Sequence, residues 1–340
     1  MSTNSEQSIF FRGYLLEVWL RVRAYISKGF KNPSWLVMSV VGRFTIIRHF
    51  VVLLKRSVPR QEQPGNKTSV FADISISDVI KSLNQDGFHL RLKLPQPVLD
   101  RIVDFSLSTV CYGNQDSELG FLYRDKEKIE QEYGYTFFMA EYYNTSLLCQ
   151  EIQNLSCDSQ LLEIASRYLK AKPVFTGSRL WWNFVVSDDH PYDSSQTITF
   201  FHYDLDDYAC VRFFFYLTDV DSRSGPHVCV RGSHMNKSLL HLLMPMKRRS
   251  DTKIQTFYGT DNIVTITGNK GFGFAEDTFC YHKATRPLDQ DRLMLQIQFA
   301  TKDYGLHNDL KDNSCLKHIT EYGQVPLWVS LALLQGSYGK

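Results

Sequence analysis

In the run TITFFHYD, residues 197–204, a histidine and an aspartate stand two apart. On an extended strand His202 and Asp204 leave one face while Tyr203 leaves the other, so an imidazole and a carboxylate are delivered to one point. A further histidine, His282, follows 78 residues after Asp204 inside TFCYHKA, another run of strand character. Two histidines and one carboxylate occupy one face of an octahedral metal and leave the remaining positions open, the pattern of non-haem Fe(II) oxygenases. His202, Asp204 and His282 are therefore the expected metal ligands and catalytic residues. Ten residues beyond His282, Arg292 opens RLMLQIQFA on the face shared with Met294, Gln296 and Gln298, opposite Leu293, Leu295, Ile297 and Phe299. A guanidinium turned into a barrel needs an anion, and its fork of donors fits a carboxylate.

Rival residues fit less well. Arg286 precedes Pro287 in the turn-like stretch ATRPLDQD, which puts it outside the barrel. His227, His234 and His241 recur every seven residues, but Gly225, Pro226 and Gly232 break any helix that would align them, so hydrogen bonding in turns is the expected role of His227 and His234. GNKGFG, residues 268–273, lacks the Lys-Ser/Thr ending and following helix of a phosphate loop and reads as a turn. The seven cysteines are odd in number and widely separated, with no pair at two-residue spacing. That argues against a disulfide framework and a thiolate zinc site, and for a reducing, cytoplasmic setting.

The elements that must position these residues change character along the chain. From Asp73 to about Tyr168 the apolar spacing is helical, with Leu161, Leu162, Ile164, Ala165 and Tyr168 in its last stretch. From Leu180 onward come short aromatic and β-branched runs broken by turn residues: RLWWNFVV, TITFFHYD, VRFFFYLTDV, HVCV, NIVTIT, TFCYHKA and RLMLQIQFA. An α+β chain with an antiparallel sandwich or barrel follows. With 340 residues, 43 % of them hydrophobic, the core is ample, and a formal charge of +2 is too balanced for a nucleic-acid binder.

Charge is uneven, however. Residues 1–64 carry ten basic and three acidic side chains, a net of +7 against −5 for the remainder. Their start has no secretory pattern. Trp35 to Leu54 is long enough to span a bilayer but contains Arg43 and Arg48, each costing roughly 3 kcal/mol at a membrane centre. The segment is expected to be a basic helical extension, separated by the linker RQEQPGNKT (60–68) and not part of the iron site; docking on the catalytic domain is favoured, with peripheral membrane contact the alternative.

The stretch FHYDLDDYACVRFFFYLTDVDSRSGPHVCVRGSH, followed by FGFAEDTFCYHKATRPLDQDRLMLQIQFA, resembles the phytanoyl-CoA dioxygenase-like family of Fe(II)- and 2-oxoglutarate-dependent oxygenases. SLNQDGFHLRLKLP and IASRYLKAKP resemble the family's leading segments, so the likeness covers about residues 73–302. It implies a double-stranded β-helix, a cupin-like jelly roll over 175–302 with a helical lead-in over 73–170. The catalytic domain is expected to span 65–310, and a helical tail, 311–340, is expected beyond the likeness. The resemblance also implies Fe(II) on His202, Asp204 and His282, the distal carboxylate of 2-oxoglutarate on Arg292, and O2 as cosubstrate. The expected reaction is hydroxylation of an unactivated C–H bond of a lipid-like or secondary-metabolite small molecule, with release of succinate and CO2. Arg231 stands where the family usually has proline, and Ala284 lacks a hydroxyl that some members place near the cosubstrate. Retention of Asp204 disfavours halogenation. A non-oxidative metal cupin enzyme and a catalytically silent binding protein held at a membrane are the alternative readings.

Overall fold

The computed structural model describes residues 23, 27–55, 69–71, 74–134, 136–186, 199–243, 247–305 and 309–319. The expected linker at 60–68, the first 22 residues and most of the expected C-terminal helical tail lie outside the described residues.

In chain order the strands are β1 (Phe88–Lys93), β2 (Cys111–Gly113), β3 (Gly120–Phe121), β4 (Met139–Tyr142), β5 (Val174–Asn183), β6 (Cys210–Tyr216), β7 (His227–Val230), β8 (Ile263–Ile266), β9 (Phe272–Glu276), β10 (His282–Ala284) and β11 (Arg292–Ala300). They form two antiparallel sheets, a larger one ordered β1-β9-β6-β11-β5-β4-β2-β3 and a smaller one ordered β10-β7-β8. The long strand β11 pairs with β5 on one side and β6 on the other, and its alternation sorts the layers. Leu293, Leu295, Ile297 and Phe299 enter the main core, where the helices Gln96–Ser108 and Ser159–Leu169 supply Leu99, Ile102, Leu161, Ile164 and Ala165. Met294, on the opposite face, joins Phe214, Tyr216, Cys229 and Phe274 between the sheets.

Residues 73–170, read as a helical lead-in, do supply covering helices, and they also contribute β1 to β4 to the larger sheet. These strands are short or flank irregular backbone: β2 and β3 have three and two residues, and β1 carries a bulge at Arg91 with positive φ. Between Gln85 and β1 the chain turns at Gly87, whose φ of +84° suits glycine and where a Cβ would lie 2.1 Å from Cys280 Sγ.

The described part of the N-terminal segment contains the helices Pro33–Val41 and Thr45–Lys55, preceded by helical residues 27–31. Asn32 caps the first by accepting from Trp35 N, and Pro33 stands in its first turn. Residues 42–44 interrupt the apolar run, so no helix among the described residues is long and apolar enough to cross a membrane. Trp35 and Met38 are buried with Phe201, Tyr203, Leu205, Val228, Val230, Phe279 and Tyr281. Arg48 is buried too: Nη2 lies 3.3 Å from Asp277 Oδ2 and the guanidinium covers the Phe279 ring at 3.8 Å. Asp277 also accepts from Tyr168 Oη at 2.7 Å, so one carboxylate joins the N-terminal segment, the helical layer and the chain leading to β10.

Candidate metal centre

Backbone hydrogen bonds bring the two histidines side by side. His202 N donates to the His282 carbonyl (2.9 Å) and His282 N to the His202 carbonyl (2.8 Å), an antiparallel bridge that joins TITFFHYD to β10. Asp204 N donates to the Thr278 carbonyl (2.8 Å), which holds the chain extended for two more residues. Alternation then divides this stretch: Phe201, Tyr203 and Leu205 are buried against Trp35 and Met38, and His202 and Asp204 point the other way. The expected face-sharing pair is present, although only Phe201 and His202 make bridges and no long strand forms.

His202, Asp204 and His282 each offer a ligand atom within 4.8 Å of the other two. His202 Nε2 lies 3.8 Å from Asp204 Oδ1 and His282 Nε2 3.7 Å from Asp204 Oδ2. Each histidine turns Nδ1 toward a backbone carbonyl two residues earlier, His202 to Phe200 and His282 to Cys280, both at 3.1 Å. A carbonyl only accepts, so each Nδ1 is the donor there and each Nε2 is the atom turned toward the carboxylate. Burial first, and then the neighbouring His202, push the His282 pKa down to about 3, which keeps it the neutral base a metal requires. For Asp204, burial alone would raise the pKa; Arg212, His282 and His202 outweigh it and hold the carboxyl well below its usual range. A deprotonated carboxylate facing the Nε2 atoms of two histidines is a donor set suited to a divalent transition metal.

Two residues that the sequence did not single out complete the surroundings. Arg212, on β6, donates from Nη1 to Asp204 Oδ2 (2.6 Å), from Nη2 to Asp206 and from Nε to Gln298 Oε1 (2.7 Å), fixing the carboxylate from behind. Glu276, at the end of β9, is fully buried, with Oε2 2.9 Å from His227 Nε2 and Oε1 3.4 Å from His282 Nδ1. Burial raises its pKa to about 7. The alternation Phe272, Phe274, Glu276 was the available signal, since a carboxylate ending an apolar alternating run faces the interior with its neighbours.

His227 is a correction. It lies on β7, opposite Ala284 of β10, and not in a turn; its ring stacks on His282 with centroids 5.4 Å apart. Gly225 and Pro226 end a loop just before a strand, so the residues that exclude a helix here introduce extended backbone. With Cys229 and Glu276 it makes a second buried group of metal-ligand types. His234 does sit in a turn, its Nε2 3.3 Å from the Asn84 carbonyl.

Arg292 is 1 % exposed and lies on the inner face of β11, as alternation required. It donates from Nη2 to Asn183 Oδ1 (2.5 Å) and from Nη1 to the Gly225 carbonyl, and its charge helps lower the His227 pKa to about 3, after burial. Gly225 needs its φ of +73°, and a Cβ there would meet Pro287 N at 2.9 Å. His227 thus stands between Arg292 and His282. Arg286 is only half-buried and donates to the Val186 carbonyl.

No family model matches the chain, and no curated protein matches it. Among solved structures it is similar to the non-haem alpha-ketoglutarate-dependent epimerase SnoN from nogalamycin biosynthesis, at 12 % identity over 66 % of this chain and 82 % of that one, with a TM-score of 0.46. It is similar to HygX from Streptomyces hygroscopicus, solved with nickel, 2-oxoglutarate and hygromycin B, at 12 % identity over 66 % and 86 % with a TM-score of 0.45. The carbocyclase SnoK from nogalamycin biosynthesis gives 14 % identity over 69 % and 87 % with a TM-score of 0.45.

Proposed function

We propose that the two sheets are the halves of a double-stranded β-helix and that the chain is an Fe(II)- and 2-oxoglutarate-dependent oxygenase. The observation that carries this reading is the convergence of His202, Asp204 and His282, 78 residues apart in sequence, with both Nε2 atoms turned toward one carboxylate. Those three residues would hold the iron. Iron held there would supply the oxidative chemistry, coupling decarboxylation of 2-oxoglutarate by O2 to succinate and CO2 with oxygenation of a substrate C–H bond.

The protein's own groups do the rest. Phe200 and Cys280 carbonyls fix both imidazole tautomers. Arg212 orients Asp204 and balances its charge. Arg292, buried and with one donor of each terminal nitrogen held by Gly225 and Asn183, is the residue for the distal carboxylate of 2-oxoglutarate, and burial strengthens a charge-assisted pair of this kind. The apolar inner residues Met294, Phe214 and Phe274 keep water from the space between the sheets.

The test is succinate formation. Anaerobically purified protein given Fe(II), 2-oxoglutarate and air should release succinate even without a substrate, with turnover stopped by chelation and restored by iron. Turnover of a substrate with no dependence on 2-oxoglutarate would instead favour a metal cupin enzyme. A panel of lipids, acyl thioesters and secondary metabolites, scored by stimulated succinate release, then finds the substrate class, with hydroxylation read from the mass of the product.

A further inference from the structure

The helix Thr45–Lys55 is amphipathic in the reverse sense for a surface helix. Its inward side carries Arg48, buried against Asp277 and Phe279. Its outward side carries Ile46 (85 % exposed), Phe50, Leu53 and Leu54, at helical spacings i, i+4, i+7 and i+8. The preceding helix repeats the arrangement: Trp35 and Met38 are buried, while Pro33, Val37 and Val40, again at i, i+4 and i+7, are exposed, and Phe30 ahead of it is 84 % exposed. Nearby, Arg43 donates to the Leu242 carbonyl of the helix Leu239–Leu243, which presents exposed Leu239 and Leu243 of its own. Isolated exposed leucines need no explanation, but aligned apolar side chains on consecutive helices call for a covering surface.

Charge identifies that surface. Between Glu17 and Glu62 the chain has nine basic residues and no acidic one, and Lys28 and Lys31 are exposed beside Phe30. A second copy of the chain would set this basic stretch against itself in a two-fold contact, which like-charge repulsion opposes. A negatively charged lipid surface satisfies both features at once, because it accepts apolar side chains at the headgroup boundary and attracts lysine and arginine.

We propose that the outward faces of Pro33–Val41 and Thr45–Lys55 seat the protein on an anionic bilayer, with Val37, Val40, Ile46, Phe50, Leu53 and Leu54 entering the interface and Lys28 and Lys31 contacting headgroups. The inward faces, which pack on Phe201, Tyr203 and Leu205 and on Asp277 and Phe279, stay in place, so the metal centre is carried at the membrane surface.

The experiment is co-sedimentation of the full-length protein with vesicles of phosphatidylcholine alone or phosphatidylcholine mixed with phosphatidylserine. The protein should pellet with the mixed vesicles only and be released by added salt. Lys31→Ala should weaken partitioning about five-fold, the effect of one basic charge at such a surface. Phe50→Glu should abolish it while leaving succinate formation unchanged, since the Phe50 side chain is 60 % exposed on the outward face and is none of the metal ligands. Equal binding to both vesicle types overturns the anionic assignment. Absence of binding, with a dimer by light scattering that Phe50→Glu dissociates, shows a second copy as the occupant and overturns the proposal. Absence of binding by a monomer overturns it equally.

Discussion

Replacing Arg292 by lysine separates its charge from its geometry. The guanidinium is buried, with Asn183 Oδ1 on one nitrogen and the Gly225 carbonyl on another. Lysine keeps the positive charge but brings a single ammonium in place of a planar fork, so a two-pronged grip on a carboxylate becomes a one-point contact. The fold should tolerate the change, because Asn183 Oδ1 retains a donor in Trp181 Nε1 at 2.9 Å. One hydrogen bond to a charged group is worth about 1.5–3 kcal/mol, so the apparent constant for 2-oxoglutarate should rise roughly ten- to hundred-fold. Uncoupled succinate release measured against 2-oxoglutarate concentration gives that constant directly, and a substrate's own constant should change little. The reasoning is refuted if Arg292→Lys leaves the cosubstrate constant unchanged while Arg286→Lys raises it.

Three further outcomes follow from groups around the centre. Glu276→Gln keeps the shape behind His282 but removes the carboxyl near Nδ1, and should weaken metal affinity roughly ten- to hundred-fold in a titration with Co(II) followed by its visible absorption; an unaltered affinity and spectrum would make Glu276 a bystander. Met38 is fully buried against the back of the ligand-bearing stretch, so Met38→Ala should lower stability by about 2–5 kcal/mol in urea unfolding, whereas a loss near zero would mean that the N-terminal helix is dispensable to the fold. Lys237 sits over the rings of Tyr203, Phe279 and Tyr281, and burial pushes its pKa from 10.5 down to about 7, with Cys280, Arg48, Asp277 and Arg249 as the charged or ionisable groups facing it. Its folded pKa lies below the unfolded one, so between pH 7 and 10.5 the unfolded chain binds more protons and stability rises with pH, by at most about 1.4 kcal/mol per pH unit. Lys237→Met should flatten that slope in denaturation curves across the range; an identical slope in the variant would contradict the assignment.

The chemistry-bearing residues were legible because they rest on the shortest-range rule, alternation. His202 with Asp204 and the inward face of Arg292 follow from counting by twos, and β5, β6, β7, β8, β10 and β11 lie where aromatic and β-branched runs marked strands. What escaped depends on partners distant in sequence. The strand β9, with Glu276, is a short apolar run that gains its identity only by lying between β1 and β6. Arg212 was one charge in the aromatic strand VRFFFY, and its role exists because Asp204 and Asp206 fold back over it. His227 was assigned to a turn from the glycine and proline before it, whereas pairing with β10 draws the residues after them into a strand. The N-terminal segment's basic charge was visible, but which of its faces is buried was decided by Asp277 capturing Arg48 and by Phe201, Tyr203 and Leu205 receiving Trp35 and Met38.

The central claim is that His202, Asp204 and His282 form one site for iron, and anaerobic titration with Fe(II) addresses it most directly. Calorimetry on the metal-free full-length chain should give one equivalent bound per protein. Asp204→Ala should remove that binding and leave a folded chain by circular dichroism, with 2-oxoglutarate no longer retained. Stoichiometric Fe(II) binding at undiminished affinity in Asp204→Ala, with succinate still released, would contradict the account.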